Sequence, residues 1–166
     1  MANKQSFTPD EWTKISESVM MSGMAVSAAE PSGLWGMFKE AFASSSTLAA
    51  SKLDPSSNEL IKAVIADFET AQGRSAIQEA LRKDFAGAKP GEVVQRSLAN
   101  LREVSGILDA KAPGDAAAFK GWLRSISQKV AEAASEGGFL GIGGVQVSDA
   151  EKATLTDISK ALGLTA

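Results

Sequence analysis

Apolar residues recur along this chain at three- and four-residue spacing, interrupted by short segments rich in Pro, Gly and Ser, a pattern that predicts seven helices and no strand. The first helix has the clearest start. Thr8 is placed to cap it, Pro9 suits the first helical position, Glu11 completes a capping box, and Phe7 with Trp12 takes the two hydrophobic-staple positions. Trp12, Ile15, Val19 and Val26 then follow at helical spacing, carrying the helix to about Ala29. After Pro31-Ser32-Gly33, a second stripe runs through Leu34, Phe38, Ala41, Phe42 and Leu48 and ends near Ser51. Asp54-Pro55 begins the third, with Ser56 and Glu59 at capping-box spacing and Leu60, Ile61, Val64, Ile65 and Phe68 forming a wide apolar face.

A shorter fourth helix holds Ile77, Leu81 and Phe85. Lys89-Pro90-Gly91 opens a long fifth helix whose Val94, Leu98, Leu101, Val104 and Leu108 face inward, and Pro113-Gly114 divides it from the sixth. Phe119, Trp122, Leu123, Ile126, Val130 and Ala133 carry that sixth helix. Ser148 and Glu151 cap the seventh, whose apolar side is Leu155, Ile158 and Leu162, and Gly163 is suited to terminate it. The breaks are short and the composition does not shift, so the expectation is an all-α fold in which residues 1–166 make a single helical domain, a bundle of about seven helices.

Two breaks resemble each other. Ala28-Ala29-Glu30-Pro31-Ser32-Gly33-Leu34-Trp35-Gly36 aligns without a gap on Ala133-Ala134-Ser135-Glu136-Gly137-Gly138-Phe139-Leu140-Gly141: two alanines, three residues, then glycine, two large apolar residues and glycine. Each follows a helix with a tryptophan near its start, which implies two helix-loop-helix units related by a pseudo-twofold axis that brings the loops together. In the second loop, Phe139, Leu140 and Ile142 are the only side chains of substance in a glycine run. One reading tucks these residues under neighbouring helices; the other exposes them as a binding patch. The candidate contact residues are therefore Gly33, Leu34, Trp35, Gly36, Gly138, Phe139, Leu140, Gly141 and Ile142. No dinucleotide fingerprint fits: the place where the third glycine belongs holds Gln146, and a helix rather than a strand precedes.

Composition narrows the chemistry. Without cysteine or histidine the chain has no disulfide, no thiol nucleophile and no imidazole base, and the commonest zinc sites lose their ligands. No catalytic residue and no cofactor is expected. Seventeen basic against 20 acidic residues give no electrostatic reason to seek a polyanion, so nucleic acid is not an expected partner. The Arg74 to Arg102 stretch, interspersed with Glu79, Asp84, Glu92 and Glu103, reads as a solvated face. Met1 to Phe7 lacks the features of a secretory signal, and no apolar run approaches the roughly 20 residues of a membrane span, so a cytoplasmic location is expected. The pairs Asp10 with Glu11 and Asp67 with Glu69 are assigned to helix starts or solvent faces. The three tryptophans are assigned to the core, and the cluster of Met20, Met21, Met24 and Met37 is assigned there as well. Small residues from Ser22 to Ala29 let another helix approach closely.

Gly143-Gly144-Val145-Gln146-Val147-Ser148-Asp149-Ala150-Glu151, with Leu155, Ile158 and the closing Ala161-Leu162-Gly163-Leu164, resembles the TerB tellurite-resistance family over about residues 122 to 164. The whole chain is also similar to bacterial proteins of no assigned function. The TerB resemblance implies an all-helical fold and a link with acidic metal-binding loops and stress-response complexes. This chain departs from the family at Gly143-Gly144, where an Asp-Gly is usual. Glu136, Asp149 and Glu151 remain nearby, three carboxylates against the about six to eight oxygens calcium prefers, and the candidate metal ligands Asp149 and Glu151 also suit the first turn of a helix. The leading functional expectation is a non-enzymatic interaction module contacting a protein, a second copy of itself or a small apolar ligand through the two loops. The alternatives are a divalent-cation sensor and, ranked last, an enzyme built on carboxylates.

Overall fold

The computed structural model describes residues 1–29, 58–136 and 147–165, with only the backbone of 133–136. Among these residues the fold is all-α, without a strand. A short 3-10 turn, Lys4–Ser6, precedes helix α1, Pro9–Ala29; α2, Glu59–Glu69; α3, Ala71–Asp84; α4, Pro90–Lys111; α5, Pro113–Glu136; and α6, Asp149–Ala161. The helix expected between Leu34 and Ser51 lies outside the described residues.

Helix α1 begins as its sequence dictates. The Thr8 N–H donates to Glu11 Oε2 at 2.8 Å, the Glu11 N–H donates to Thr8 Oγ1 at 3.3 Å, and the Phe7 and Trp12 rings meet at a tilt of 36° with centroids 6.0 Å apart. From Ile15 to Ala28 this helix is buried at every position but Met20, which an amphipathic surface helix would not be. Besides Ile15, Val19, Met21, Met24 and Val26, the buried set includes Ser16, Glu17, Ser18, Ser22 and Ser27. Two of these serines solve their own desolvation problem. Ser18 Oγ donates to Ile15 O at 2.6 Å and Ser22 Oγ to Ser18 O at 2.8 Å, so polar positions pass into the interior without an external partner.

The other helices pack around this hub. Ion pairs Lys111–Glu11, at 2.6 Å, and Lys14–Glu103 set α4 antiparallel to α1. Helix α5 turns back along α4, tied by Lys120–Asp109 at 2.7 Å, and therefore runs parallel to α1. Ser127 Oγ donates to Ser22 O at 2.9 Å near one end of that parallel pair, and the Ala2 N–H donates to Asp115 Oδ2 at 2.7 Å near the other. Helix α6 closes the bundle through Ser105 Oγ to Leu162 O at 3.1 Å and Arg124 Nε to Ser159 Oγ at 2.8 Å. It ends in a Schellman motif: Leu164 N–H reaches Ser159 O at 2.9 Å and Gly163 N–H reaches Lys160 O at 3.0 Å, with Gly163 at φ +67°. Phe119, Leu60, Leu101, Leu108, Leu123, Ile126, Ile158 and Leu162 are among the largest side chains sealed in the common core, each contributing about 1.5–3 kcal/mol by leaving water.

Two expectations change. The third predicted helix is capped by Asn58, not by Ser56, whose structure is not described: Asn58 Oδ1 accepts from Ile61 N–H at 2.9 Å while its amide donates to Asp115 O at 3.2 Å, so one side chain caps α2 and docks it on α5. In α4, Val93 is fully buried and Val94 only half-buried, because the helix also serves a second apolar cluster containing Met24 and Ala28.

Candidate functional site

The nine loop residues singled out by sequence, Gly33, Leu34, Trp35 and Gly36 with Gly138, Phe139, Leu140, Gly141 and Ile142, lie outside the described residues. The helices leading into them are described. Because α1 and α5 run parallel, Ala29 and Glu136 end at the same pole of the bundle. The Ser127–Ser22 hydrogen bond joins residues 105 positions apart, the same displacement that aligns Ala133-Ala134 on Ala28-Ala29. The sequence repeat thus coincides with a register in space.

Asp149 and Glu151 are not convergent. The Asp149 carboxylate is fully exposed in the first turn of α6, 3.8 Å from Lys152 Nζ. Glu151 is buried, its Oε2 accepting from Ser148 N–H at 2.9 Å while its own N–H donates to Ser148 Oγ at 3.1 Å. This is the reciprocal cap expected from the spacing. Glu151 Oε1 is buried without a partner among the described residues. No group of three or more Asp or Glu side chains with metal-binding geometry occurs among them.

Sequence reasoning passed over a cleft at the opposite pole. The corner between α2 and α3 turns on Thr70, which ends one helix and caps the next: its Oγ1 donates to Asp67 O at 2.8 Å and accepts from Gly73 N–H at 2.9 Å. The corner is so tight that a Cβ on Gly73 would sit 2.1 Å from Asp67 O. It leaves a cleft of about 340 Å³ against α1, with Pro9, Trp12, Ala76 and Ile77 in its walls and Ser16 also lining it. Asp67, expected on a solvent face, instead lines this cleft with its side chain only 16 % exposed. Its Oδ2 accepts from Trp12 Nε1 at 2.9 Å and its Oδ1 from Lys4 Nζ at 2.8 Å, and that ammonium stands 5.8 Å from the centre of a Trp12 ring. A buried indole N–H requires an acceptor, and that requirement was the available sequence signal for a polar partner of Trp12. Ser16, 1 % exposed, has no partner for its Oγ among the described residues.

A second buried polar group was also missed. Glu17 is 2 % exposed and its Oε1 has no partner among the described residues. Burial pushes its carboxyl up to about 7, Asp84 adds to the rise, and Lys14 opposes it. Antiparallel register, fixed by Lys14–Glu103 and by the packing of Met24 with Val93, places Glu17 opposite the stretch of α4 holding Ser97 and Asn100. Ser97 Oγ and Asn100 Oδ1 are likewise buried and unpartnered. The signal lay in the spacing of Glu17, Met20 and Met24, which sets a carboxylate at the head of a methionine stripe.

No helix of the described residues is long and apolar enough to cross a membrane. No protein-family model matches this chain, and neither does any curated protein or solved structure.

Proposed function

We propose that the chain is a non-enzymatic helical interaction module of TerB-like arrangement, in which loop residues 33–36 and 138–142 act jointly as the contact surface for a protein partner, a second copy of the chain, or a small apolar ligand. The parallel, in-register packing of α1 against α5 carries this reading, since both helices hand the chain over to their loops at one pole. Two short segments of matching composition, each following a helix that ends at the same pole, support a bipartite surface in which Leu34, Trp35, Phe139 and Leu140 would be apolar anchors of the kind that dominate binding energy. The composition supports a binding role over chemistry: neither histidine nor cysteine is available as base or nucleophile.

The absence of native cysteine makes the test direct. Leu34→Cys combined with Phe139→Cys is expected to form a disulfide under mild oxidation, which requires Cα atoms within about 7 Å and so reads out directly whether the two loops adjoin. Light scattering of the unmodified chain separates a self-association surface from one that takes another partner. A photo-crosslinker at position 35 should then capture a species that Phe139→Ser, folded by circular dichroism, no longer captures. Absence of the disulfide together with unchanged capture by Phe139→Ser would refute the proposal.

A further inference from the structure

We infer that the cleft between α1 and α3 is a binding site for a small primary amine with an apolar, hydroxylated body, and that Lys4 occupies its ammonium position in the free protein. The ammonium half rests on the surroundings of Lys4 Nζ. A carboxylate oxygen lies at 2.8 Å and an indole ring centre at 5.8 Å, the two groups that together recognise an organic cation. Asp67 is held for this role independently of Lys4, since Trp12 Nε1 fixes its other oxygen at 2.9 Å. Lys4 is a weakly committed occupant: it projects from a single 3-10 turn and its side chain is 60 % exposed. An ion pair of that exposure is readily exchanged for another ammonium.

The body of the ligand is specified by the rest of the cleft. Pro9, the Trp12 ring, Ala76 and Ile77 offer an apolar slot, and its volume of about 340 Å³ lies at the lower end of the about 300–1,000 Å³ common for ligand sites. Ser16 is one helical turn beyond Trp12, lines the same cleft, and keeps a buried hydroxyl with no partner among the described residues. That hydroxyl is sealed from water in the free protein, and a rotation of Ser16 toward the slot lets a ligand hydroxyl recover the free energy its missing partner costs. A shallower depression of about 450 Å³, lined by Asn3, Gln5, Ala63 and Ala66, shares Lys4, Asp67 and Thr70 with the cleft. The two meet at Lys4, whose side chain would swing aside to admit the amine. This site is at the pole opposite the loops and does not depend on them.

The inference is tested by amide and indole chemical shifts of the full chain during titration with tyramine, phenethylamine and p-cresol, each to about 10 mM. Tyramine should move the Trp12 indole N–H and the Gly73 and Ile77 amides in a saturable way, and bind more tightly than phenethylamine; p-cresol, lacking the ammonium, should leave them in place. Lys4→Gln should tighten tyramine binding by about two- to five-fold, the equivalent of one exposed ion pair removed from competition. Ser16→Ala should reduce tyramine to the affinity of phenethylamine while leaving phenethylamine unchanged, and Asp67→Asn should abolish both. The inference is overturned if neither amine moves these resonances, if p-cresol binds as well as tyramine, or if Lys4→Gln weakens binding. Lys4→Gln and Ser16→Ala keep the test decisive should Asp67→Asn fail to fold.

Discussion

Replacing Glu17 by Gln should stabilise the protein at pH 8 and have much less effect at pH 5. Glu17 is buried on α1, within reach of Asp84 of α3, with a carboxyl raised from 4.5 to about 7, chiefly by burial. At about 1.4 kcal/mol per tenfold change in proton affinity, that rise corresponds to about 3 kcal/mol. The sign follows from which state holds the proton. Below 4.5 both folded and unfolded chains are protonated at this position, and Glu17 adds no pH-dependent penalty. Between 4.5 and 7 the unfolded chain ionises while the folded chain does not, so stability falls as pH rises and levels off above the folded value. About 2.5 kcal/mol of the loss lies between pH 5 and pH 8. Gln keeps the shape and never ionises, so it removes the pH-dependent penalty without changing the packing.

Urea unfolding of wild type and Glu17→Gln at pH 5, 6, 7 and 8 measures the difference directly, with C_m and m compared at each pH. By calorimetry the same difference should appear at pH 8 as an increase in Tm of about 5–10 °C for a chain of this length. Glu11, whose carboxyl is lowered by its bond to Lys111, works in the opposite direction and below 4.5, outside this window. A stability difference between the two proteins that stays constant from pH 5 to pH 8 would refute the argument, because it would mean that Glu17 ionises alike in the folded and unfolded chains.

The glycines of the helices should divide by the space around them: Gly106→Ala in α4 and Gly121→Ala in α5, where an added Cβ meets nothing within 4 Å, should each stabilise by about 0.5–1 kcal/mol. Gly73→Ala, which drives a Cβ against the Asp67 carbonyl, should instead cost more than about 1 kcal/mol and open the α2–α3 corner, as thermal unfolding of the three variants will show. Glu151→Ala should lose about 0.5–2 kcal/mol through the α6 cap, equally with calcium or with chelator present; a loss seen only with calcium would make Glu151 a ligand.

How much was legible in the chain depends on the range of the interaction. Apolar spacing and caps act within one turn, so the start of α1 at Thr8, the Ser148–Glu151 cap of α6 and the Gly163 terminator could all be read residue by residue, and with them the all-α fold. Asp67 and Glu17 were assigned or ignored as surface groups because neither has a local feature that states its burial. Asp67 meets Trp12 across 55 residues of chain, and Glu17 is buried by its place on a helix surrounded on all sides. Asn58 caps α2 through a local bond to Ile61 N–H that the chain could have shown, whereas the partner of its amide, the Asp115 carbonyl 57 residues away, is set by packing.

By itself, then, the sequence determined the helices of the described residues, most of their ends and the chemistry from which histidine and cysteine are missing. The repeat at positions 28–36 and 133–141 could be seen in one dimension; that the helices leading into its two copies run parallel and end at one pole was decided by packing, because α4 reverses the chain between them. The amine-sized cleft was likewise decided by packing, where Lys4, Trp12, Ser16 and Asp67 come together. Short-range hydrogen bonds and periodicity are properties of neighbouring residues, whereas burial and the pairing of distant polar groups exist only once the helices have closed around α1.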